Sequence, residues 1–234
     1  MNIFIESEKE YDNIFVYHHI PKCGGSTLAK VIDKNHEFDF TDSFVTYGTV
    51  EYKPKIRELL DNFNGHIRGH FFYEDYIRFL ENNIEKNLEK CTMLRDPLDR
   101  VISTYYYNLE NDYTRPGYTF KDFIRDENQN KSHNYMTRFL TSNKYYTTHL
   151  DKAIENLNSF EHVGVLERFD EFLEYLQFEL GWDDISYEIT NKTSSRPSIG
   201  DIDKEDMEII KEANQKDYKL YEHAENLFEE KAGD

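Results

Sequence analysis

Residues 16–28 read VYHHIPKCGGSTL, an apolar run followed by a lysine, two glycines and two hydroxyl side chains. We predict a buried strand that ends near His18, a turn at the two glycines, and a helix that begins at Ser26. Backbone N–H groups in such a turn and at a helix N-terminus favour an anion. The segment therefore indicates a phosphate-binding turn, whose candidate residues are Lys22, Cys23, Gly24, Gly25, Ser26, Thr27 and Leu28.

The order of residues distinguishes this turn from the Walker A loop of ATP-binding proteins. A Walker A loop places its lysine after the last glycine, whereas here Lys22 precedes Gly24 and Gly25. The order therefore disfavours an ordinary ATP-binding loop. Taken alone, a lysine and glycines between a strand and a helix could also form a plain structural turn.

A second strand-to-helix segment changes that balance. Residues 91–107 read CTMLRDPLDRVISTYYY, in which an apolar run predicts a strand and Pro97 suits the first turn of a helix. Arg95 then lies at the carboxyl end of the strand, and Ser103 lies two turns along the helix. Both side chains could contact one phosphate, so the chain contains two turns that favour an anion.

Together these motifs resemble the sulfotransferases that use 3′-phosphoadenosine 5′-phosphosulfate (PAPS), especially the carbohydrate branch with the heparan sulfate 2-O- and 6-O-sulfotransferases. Weaker matches at 68–71, 134–140, 163–170 and 191–197 occur in family order. The resemblance implies that residues 22–28 hold the 5′-phosphosulfate, and that Arg95 and Ser103 hold the 3′-phosphate. PAPS is thus the expected co-substrate. The resemblance also implies that a loop late in the chain binds the cofactor through Lys192, Ser195 and Arg196. The alternative is an exposed surface loop without this role.

His70 is the predicted catalytic base. Residues 67–71 read IRGHF, which predicts a short strand that ends at the same crevice as the phosphate-binding turn. Neutral imidazole suits proton removal near physiological pH, and in the resembling family a Gly-His-Phe segment supplies the base. Lys22 is the second predicted catalytic residue, since its charge would neutralise the departing oxygen, and no metal is expected. A buried structural histidine is the alternative for His70, and the secondary candidates are His18, His19, Glu74 and Asp75.

Composition limits the partners of the chain. Its 234 residues carry a formal net charge of −18, which argues against nucleic acid and anionic membrane as partners. The same charge favours a neutral or lightly charged acceptor, a carbohydrate or another hydroxyl-bearing molecule, unless the few cations cluster. Two cysteines, Cys23 and Cys91, indicate free thiols and no disulfide framework. We find no signal peptide or membrane-spanning run and expect a cytoplasmic protein of open oligomeric state.

The alternation of apolar strands and amphipathic helices predicts an α/β fold. We expect a P-loop-like three-layer arrangement with a central, mostly parallel sheet flanked by helices. The length fits one domain over residues 1–234, with 1–12 as a flexible or edge segment. Strands are expected at 13–19, 66–71, 90–95 and 162–166, and helices at 26–34, 54–62, 73–87, 97–110, 119–126, 132–142, 148–158, 169–180 and 203–230.

The leading hypothesis is an enzyme that moves a sulfuryl group from PAPS to a hydroxyl by in-line displacement, with a histidine base. Two alternatives are a P-loop kinase that uses ATP and magnesium, and a catalytically silent nucleotide-binding or interaction protein. The acceptor is expected to contact loops within 41–52, 105–118 and 135–146. Arg100 is expected on a helix surface beside a carboxylate, and Asn134 and Arg138 share a helix face that touches either acceptor or a neighbouring carboxylate.

Overall fold

The computed structural model describes residues 13–36, 39–41, 66–83, 85–126, 132–142, 149–189 and 196–233. Several sequence-based predictions lie outside these ranges. They are the N-terminal segment 1–12, the helix at 54–62, most of the loop at 41–52, residues 143–146 of the third acceptor loop, and the candidate residues Lys192 and Ser195.

A parallel sheet forms the centre of the described residues. Its strands are β1 (Asn13–His18), β2 (Asp39–Thr41), β3 (His66–Gly69), β4 (Asn87–Leu94) and β5 (His162–Val165), in the order β2-β3-β1-β4-β5. Each strand pairs in parallel with its neighbour, and His18 at the end of β1 lies opposite Gly69 and Thr92. After Asn13 every residue of β1 is buried, as is typical of a central strand covered by helices. The predicted α/β class with a parallel sheet is confirmed.

Helices connect the strands and pack around the sheet. They are α1 (Gly25–Asn35), α2 (Arg78–Asn83) after a π-helical turn at Tyr73–Ile77, α3 (Pro97–Glu110), α4 (Phe120–Arg125), α5 (Tyr135–Phe139), α6 (Leu150–Leu157), α7 (Phe169–Leu180), α8 (Lys204–Ala213) and α9 (Gln215–Ala232). Within the described ranges, no helix is long and apolar enough to cross a membrane.

Two apolar clusters of described residues stabilise the fold. The larger one surrounds the sheet and contains both cysteines, which are free and buried. The smaller one joins α3, α4 and α8, and includes Val101, Tyr105, Phe123 and Ile210. Because one side of α3 packs into this second cluster, another side of the same helix is left to face the carboxyl ends of the strands.

The helix expected at 203–230 is in fact two helices. Asn214 separates α8 from α9 and is completely buried. Its Oδ1 accepts the backbone N–H of Asn134 at 2.8 Å, and the Asn134 side chain accepts the N–H of Lys216 at 2.9 Å. Asn134 therefore secures the N-terminus of α9, and these partners are backbone and amide groups rather than a carboxylate.

His18 is a core residue beneath the strand ends. Its ring has no exposed surface and packs among the rings of Phe71, Phe139 and Phe160. Nε2 donates to the carbonyl oxygen of Phe71 at 2.8 Å. Burial in these apolar surroundings lowers the pKa of His18 to about 3. The histidine is therefore neutral, and it fixes the segment that follows β3.

We expect acid to destabilise the protein through His18. An unfolded histidine has a pKa of 6.5, so between pH 6.5 and about 3 the unfolded chain binds a proton that the folded chain excludes. The loss of stability is negligible well above pH 6.5, grows as the pH is lowered, and amounts to about 2 kcal/mol at pH 5. Urea unfolding at pH 7 and pH 5 measures the loss. His18→Gln should lose less stability than the wild type, whereas His149→Gln, at an exposed position, should lose as much. Equal losses in wild type and His18→Gln would contradict this assignment.

Candidate active site

A cleft of about 720 Å³ opens where β1, β3 and β4 end. β1 lies between β3 and β4, and the crevice beside such a strand is where open parallel sheets bind ligands. Most of the described residues that the sequence analysis predicts for the site line this cleft. They are Lys22, Gly24, Gly25, Ser26, Thr27, His70, Arg95, Ser103 and Arg196.

The turn after β1 brings backbone N–H groups to the cleft. Lys22 and Gly24 both have positive φ angles, 69° and 79°. α1 begins directly after Gly24, and no side chain caps it. The first N–H groups of a helix have no acceptor within the helix, and here Gly25 and Ser26 line the cleft wall. This arrangement suits an anion at the helix N-terminus.

Both glycines are required by close contacts. A Cβ atom at Gly25 would lie 2.0 Å from the ring of His19. At Gly24 a Cβ would lie 2.4 Å from the side chain of Leu166, and the positive φ is itself unfavourable for other residues. The turn therefore approaches its neighbours more closely than any residue with a side chain would allow.

Two candidate residues, Cys23 and Leu28, direct their side chains away from the cleft. Cys23 is 1% exposed, its Sγ lies 3.8 Å from the sulfur of Met136, and burial raises its pKa to about 12. Leu28 is completely buried in the larger core. Neither side chain lines the cleft. Both side chains anchor the turn to the larger core, so any binding by these two residues is expected through the backbone.

Arg95 and Arg196 share one carboxylate, that of Asp99. Arg95 donates from Nε at 2.9 Å and also from Nη2, and Arg196 pairs with the other carboxylate oxygen. Nη1 of Arg95 donates to the carbonyl oxygen of Lys22 at 3.0 Å, which joins the two sequence motifs. Burial lowers the pKa of both arginines, that of Arg196 to about 10. Ser103 lies one turn beyond Asp99, buried on the same side of α3.

The ammonium group of Lys22 lies against an aromatic ring in the cleft. Nζ lies 3.7 Å from the centroid of the Tyr107 ring. Burial, together with the charge of Arg95, lowers the pKa of Lys22 to about 8. An anion bound beside it would favour the charged form and oppose that shift.

His70 follows β3 and lines the cleft beside His19. Its Nδ1 lies 2.8 Å from the carbonyl oxygen of His19. Because a carbonyl oxygen only accepts, Nδ1 carries the hydrogen and Nε2 is the basic nitrogen of the neutral ring. The two rings lie 4.1 Å apart, and burial with the neighbouring His70 lowers the pKa of His19. The arrangement provides a histidine that can accept a proton within the cleft.

The secondary candidates Glu74 and Asp75 have other partners. Glu74 accepts from the side-chain amide of Asn156 at 2.9 Å and from Arg78 at 3.4 Å. Asp75 accepts from the hydroxyl of Ser142 at 3.1 Å. Both carboxylates thus join the π-helical turn to distant segments. The contact from Nδ1 of His70 goes to the backbone of His19.

The prediction of Arg100 on a helix surface is wrong, because the side chain is completely buried. Its guanidinium lies 5.2 Å from the centroid of the Tyr135 ring. Burial lowers the pKa of Arg100, and the buried carboxylate of Asp217 on α9 opposes that effect. Asp217 also accepts from the backbone and hydroxyl of Thr137, so charge is compensated inside the core.

Two residues of α3, Asp99 and Tyr107, contact predicted site residues but are not among the individual candidates, since Tyr107 is predicted only as part of the acceptor loop 105–118. Asp99 stands four residues after Arg95, and Tyr107 stands four residues after Ser103. That spacing places side chains on one face of a helix, so it could have found both. Tyr105 and Tyr107 do not share a face, since Tyr105 packs in the smaller core while Tyr107 lines the cleft.

Comparison with known proteins identifies the family. A family model described as "Sulfotransferase family" matches residues 9–224. The chain belongs to the sulfotransferase family. Among solved structures, this chain is similar to mouse sulfotransferase SULT7A1 complexed with PAP, at 16% identity and a TM-score of 0.46. That match covers 87% of this chain and 65% of the mouse chain. No curated protein matches at a significant level.

Proposed function

We propose that this sulfotransferase moves a sulfuryl group from PAPS to a hydroxyl of a carbohydrate. The observation that carries the proposal is the convergence of Lys22, His70, Arg95, Ser103 and Arg196 on one cleft. These residues come from separate segments, and three of them are cations in a chain with a net charge of −18. The cleft thus concentrates positive charge where the rest of the molecule repels anions.

The cleft fits a nucleotide with phosphate groups at two positions. Its volume of about 720 Å³ lies within the usual range for small-molecule sites. Lys22 and the N-terminus of α1 suit the 5′-phosphosulfate, while Arg95, Arg196 and Ser103 suit the 3′-phosphate. Apolar side chains on the same wall offer a surface for the base, and they are Leu166, Phe169, Tyr187 and Ile189.

In the proposed reaction, the acceptor oxygen attacks sulfur while the bond from sulfur to the 5′-phosphate oxygen breaks. The electrons of that bond go to the phosphate oxygen, whose charge Lys22 neutralises. Nε2 of His70 takes the proton of the acceptor hydroxyl. The products are a sulfate ester and adenosine 3′,5′-bisphosphate, and the proton is on His70 until solvent removes it.

The proposed acceptor is a neutral or lightly charged carbohydrate, as in the branch that the two motifs resemble. The cations of the cleft, Lys22, Arg95 and Arg196, are all needed for the donor in this proposal. Within 105–118, Tyr107 lines the cleft and the neighbouring Tyr113 is 70% exposed. Such rings offer flat faces with polar tips, which suit a sugar better than a polyanion.

Thermal unfolding tests donor binding. We expect adenosine 3′,5′-bisphosphate, at about 100 times its dissociation constant, to add about 2.7 kcal/mol of stability. For a chain of this size the midpoint should rise by about 5 to 10 °C. Adenosine 5′-monophosphate should give a much smaller rise, because Arg95 and Arg196 would have no 3′-phosphate to bind. Ser103→Ala should reduce the difference between the two nucleotides.

The competing functions give different results. Stabilisation by ATP with magnesium, and none by the bisphosphate, would support the P-loop kinase and overturn the proposal. Stabilisation by the bisphosphate should be followed by incubation with PAPS labelled at sulfur and a panel of neutral and sulfated carbohydrates. Label in a sugar establishes transfer. Binding without transfer to any sugar or small alcohol would support the catalytically silent protein.

A further inference from the structure

The ring of Tyr107 directly contacts the charged end of Lys22. Nζ lies 3.7 Å from the ring centroid, well inside the distance of about 6 Å at which a cation is attracted to an aromatic face. The ring of Tyr113 packs against Tyr107 edge-on, with centroids 6.2 Å apart and planes at 61°. This second contact restricts the orientation of the Tyr107 ring.

Helix α3 and the residue before its cap hold Lys22 at two points. At one end of the lysine, Nη1 of Arg95 binds the carbonyl oxygen at 3.0 Å, where the backbone has a φ of 69°. At the other end, the ammonium group rests on Tyr107. Ser103 and Tyr107 share the cleft face of the helix, while Tyr105 and Tyr106 pack toward Phe120.

The charges around the ammonium group oppose one another. Burial is the largest effect on the pKa of Lys22 and lowers it, and Arg95 and Arg196 act in the same direction. Glu110, three residues after Tyr107, and Cys23 act in the opposite direction. An aromatic face attracts the ammonium group without adding a negative charge. A carboxylate in the same place would repel the anion that the cleft binds.

We propose that Tyr107 is a positioning residue that keeps Lys22 charged and directed into the cleft until an oxygen of the anionic donor replaces the ring. The identity of the donor rests on the proposed function, whereas the contact between lysine and ring does not. A charge-assisted hydrogen bond to a phosphate or sulfonate oxygen is stronger than contact with a ring face. The ammonium group therefore leaves Tyr107 when the donor binds.

Isosteric substitutions separate the electrostatics of the ring from its shape. Tyr107→Phe retains the negative ring face, whereas Tyr107→3,4,5-trifluorophenylalanine has nearly the same shape without it. We expect the pKa of Lys22 to stay near the wild-type value in the first variant and to fall by about 0.5 to 1 unit in the second. The pKa is measured from the pH dependence of acetylation by trace acetic anhydride, read by mass spectrometry, with the exposed Lys30 as internal control.

Labelling requires neither PAPS nor an acceptor, so its result is independent of the proposed reaction. A lower Lys22 pKa in the trifluoro variant alone supports the role of Tyr107. Identical Lys22 profiles in the two variants overturn it. With saturating adenosine 3′,5′-bisphosphate, Lys22 should label identically in both variants, since it has left the ring. A difference in Lys22 labelling between the two variants that persists with bound bisphosphate overturns the proposal that Lys22 moves from the ring to the donor.

Discussion

Replacing His70 by asparagine is expected to lower kcat by a factor of about 10² to 10⁴, the usual contribution of a general base. The asparagine amide can replace the N–H that His70 donates from Nδ1 to the carbonyl oxygen of His19, 2.8 Å away. It has no basic nitrogen where Nε2 lies. The affinity for adenosine 3′,5′-bisphosphate should therefore be unchanged. Initial rates of sulfuryl transfer and calorimetric titration of the bisphosphate measure the two effects.

A rescue experiment separates a base from a structural histidine. His70→Ala leaves space beside His19, and added imidazole should restore part of the lost turnover if His70 accepts the proton. Imidazole should have no effect on His70→Asn, because the amide fills that space. Transfer by His70→Asn at the wild-type rate would contradict the assignment. The ring of His19, 4.1 Å away, would then be the histidine to test.

Local sequence signals were sufficient for much of the fold. The predicted bounds of α3 and α7 agree with Pro97–Glu110 and Phe169–Leu180. Asp96 caps the start of α3 by accepting the N–H of Asp99 at 2.8 Å, and Gly181, with a φ of 63°, caps the end of α7. Such caps act within a few residues, so a sequence pattern contains them. The capping box of Thr119 and Asp122 at the start of α4 is a local signal of the same kind.

The features that sequence reasoning missed depend on partners far away in the chain. The break at Asn214 is held by residues about 80 positions earlier, through the backbone of Asn134 and Ser132. Arg100 is buried, and the opposing charge comes from Asp217 on the last helix, α9. No local sequence pattern around Asn214 or Arg100 predicts these contacts. Strand β2 is only three residues long, which is too short for a recognisable alternation.

The candidate site was predictable in composition but not in its internal contacts. Two motifs and one histidine indicated Lys22, His70 and Arg95, and the parallel sheet explains why they meet at one edge. Motif positions do not show which side chains face the cleft and which face the core. The thiol of Cys23, a motif residue, is buried in the core. Nor do they show that Asp99 links Arg95 to Arg196, because that pairing joins α3 to a loop near the end of the chain.

Lys22→Met is expected to lower kcat by a factor of about 10² to 10³, as when one electrostatic stabiliser of a transition state is removed. The wild type should also show a decline of kcat/KM as the pH rises above about 8, because Lys22, whose pKa is lowered to about 8, loses its charge there. In kcat the decline should move to higher pH, since the bound donor favours the charged amine. Rates between pH 6.5 and 9.5 test both statements.

Lys22→Arg is the matched control for the charge. A guanidinium stays protonated throughout this pH range, so the decline of kcat/KM near pH 8 should disappear even if the rate is reduced by its different shape. Lys22→Met should also lack the decline, because it has no charge to lose. A decline near pH 8 that persists in both variants would assign the titration to another group. Lys22 would then contribute to binding through its backbone turn, and the electrostatic role proposed for its ammonium group would be wrong.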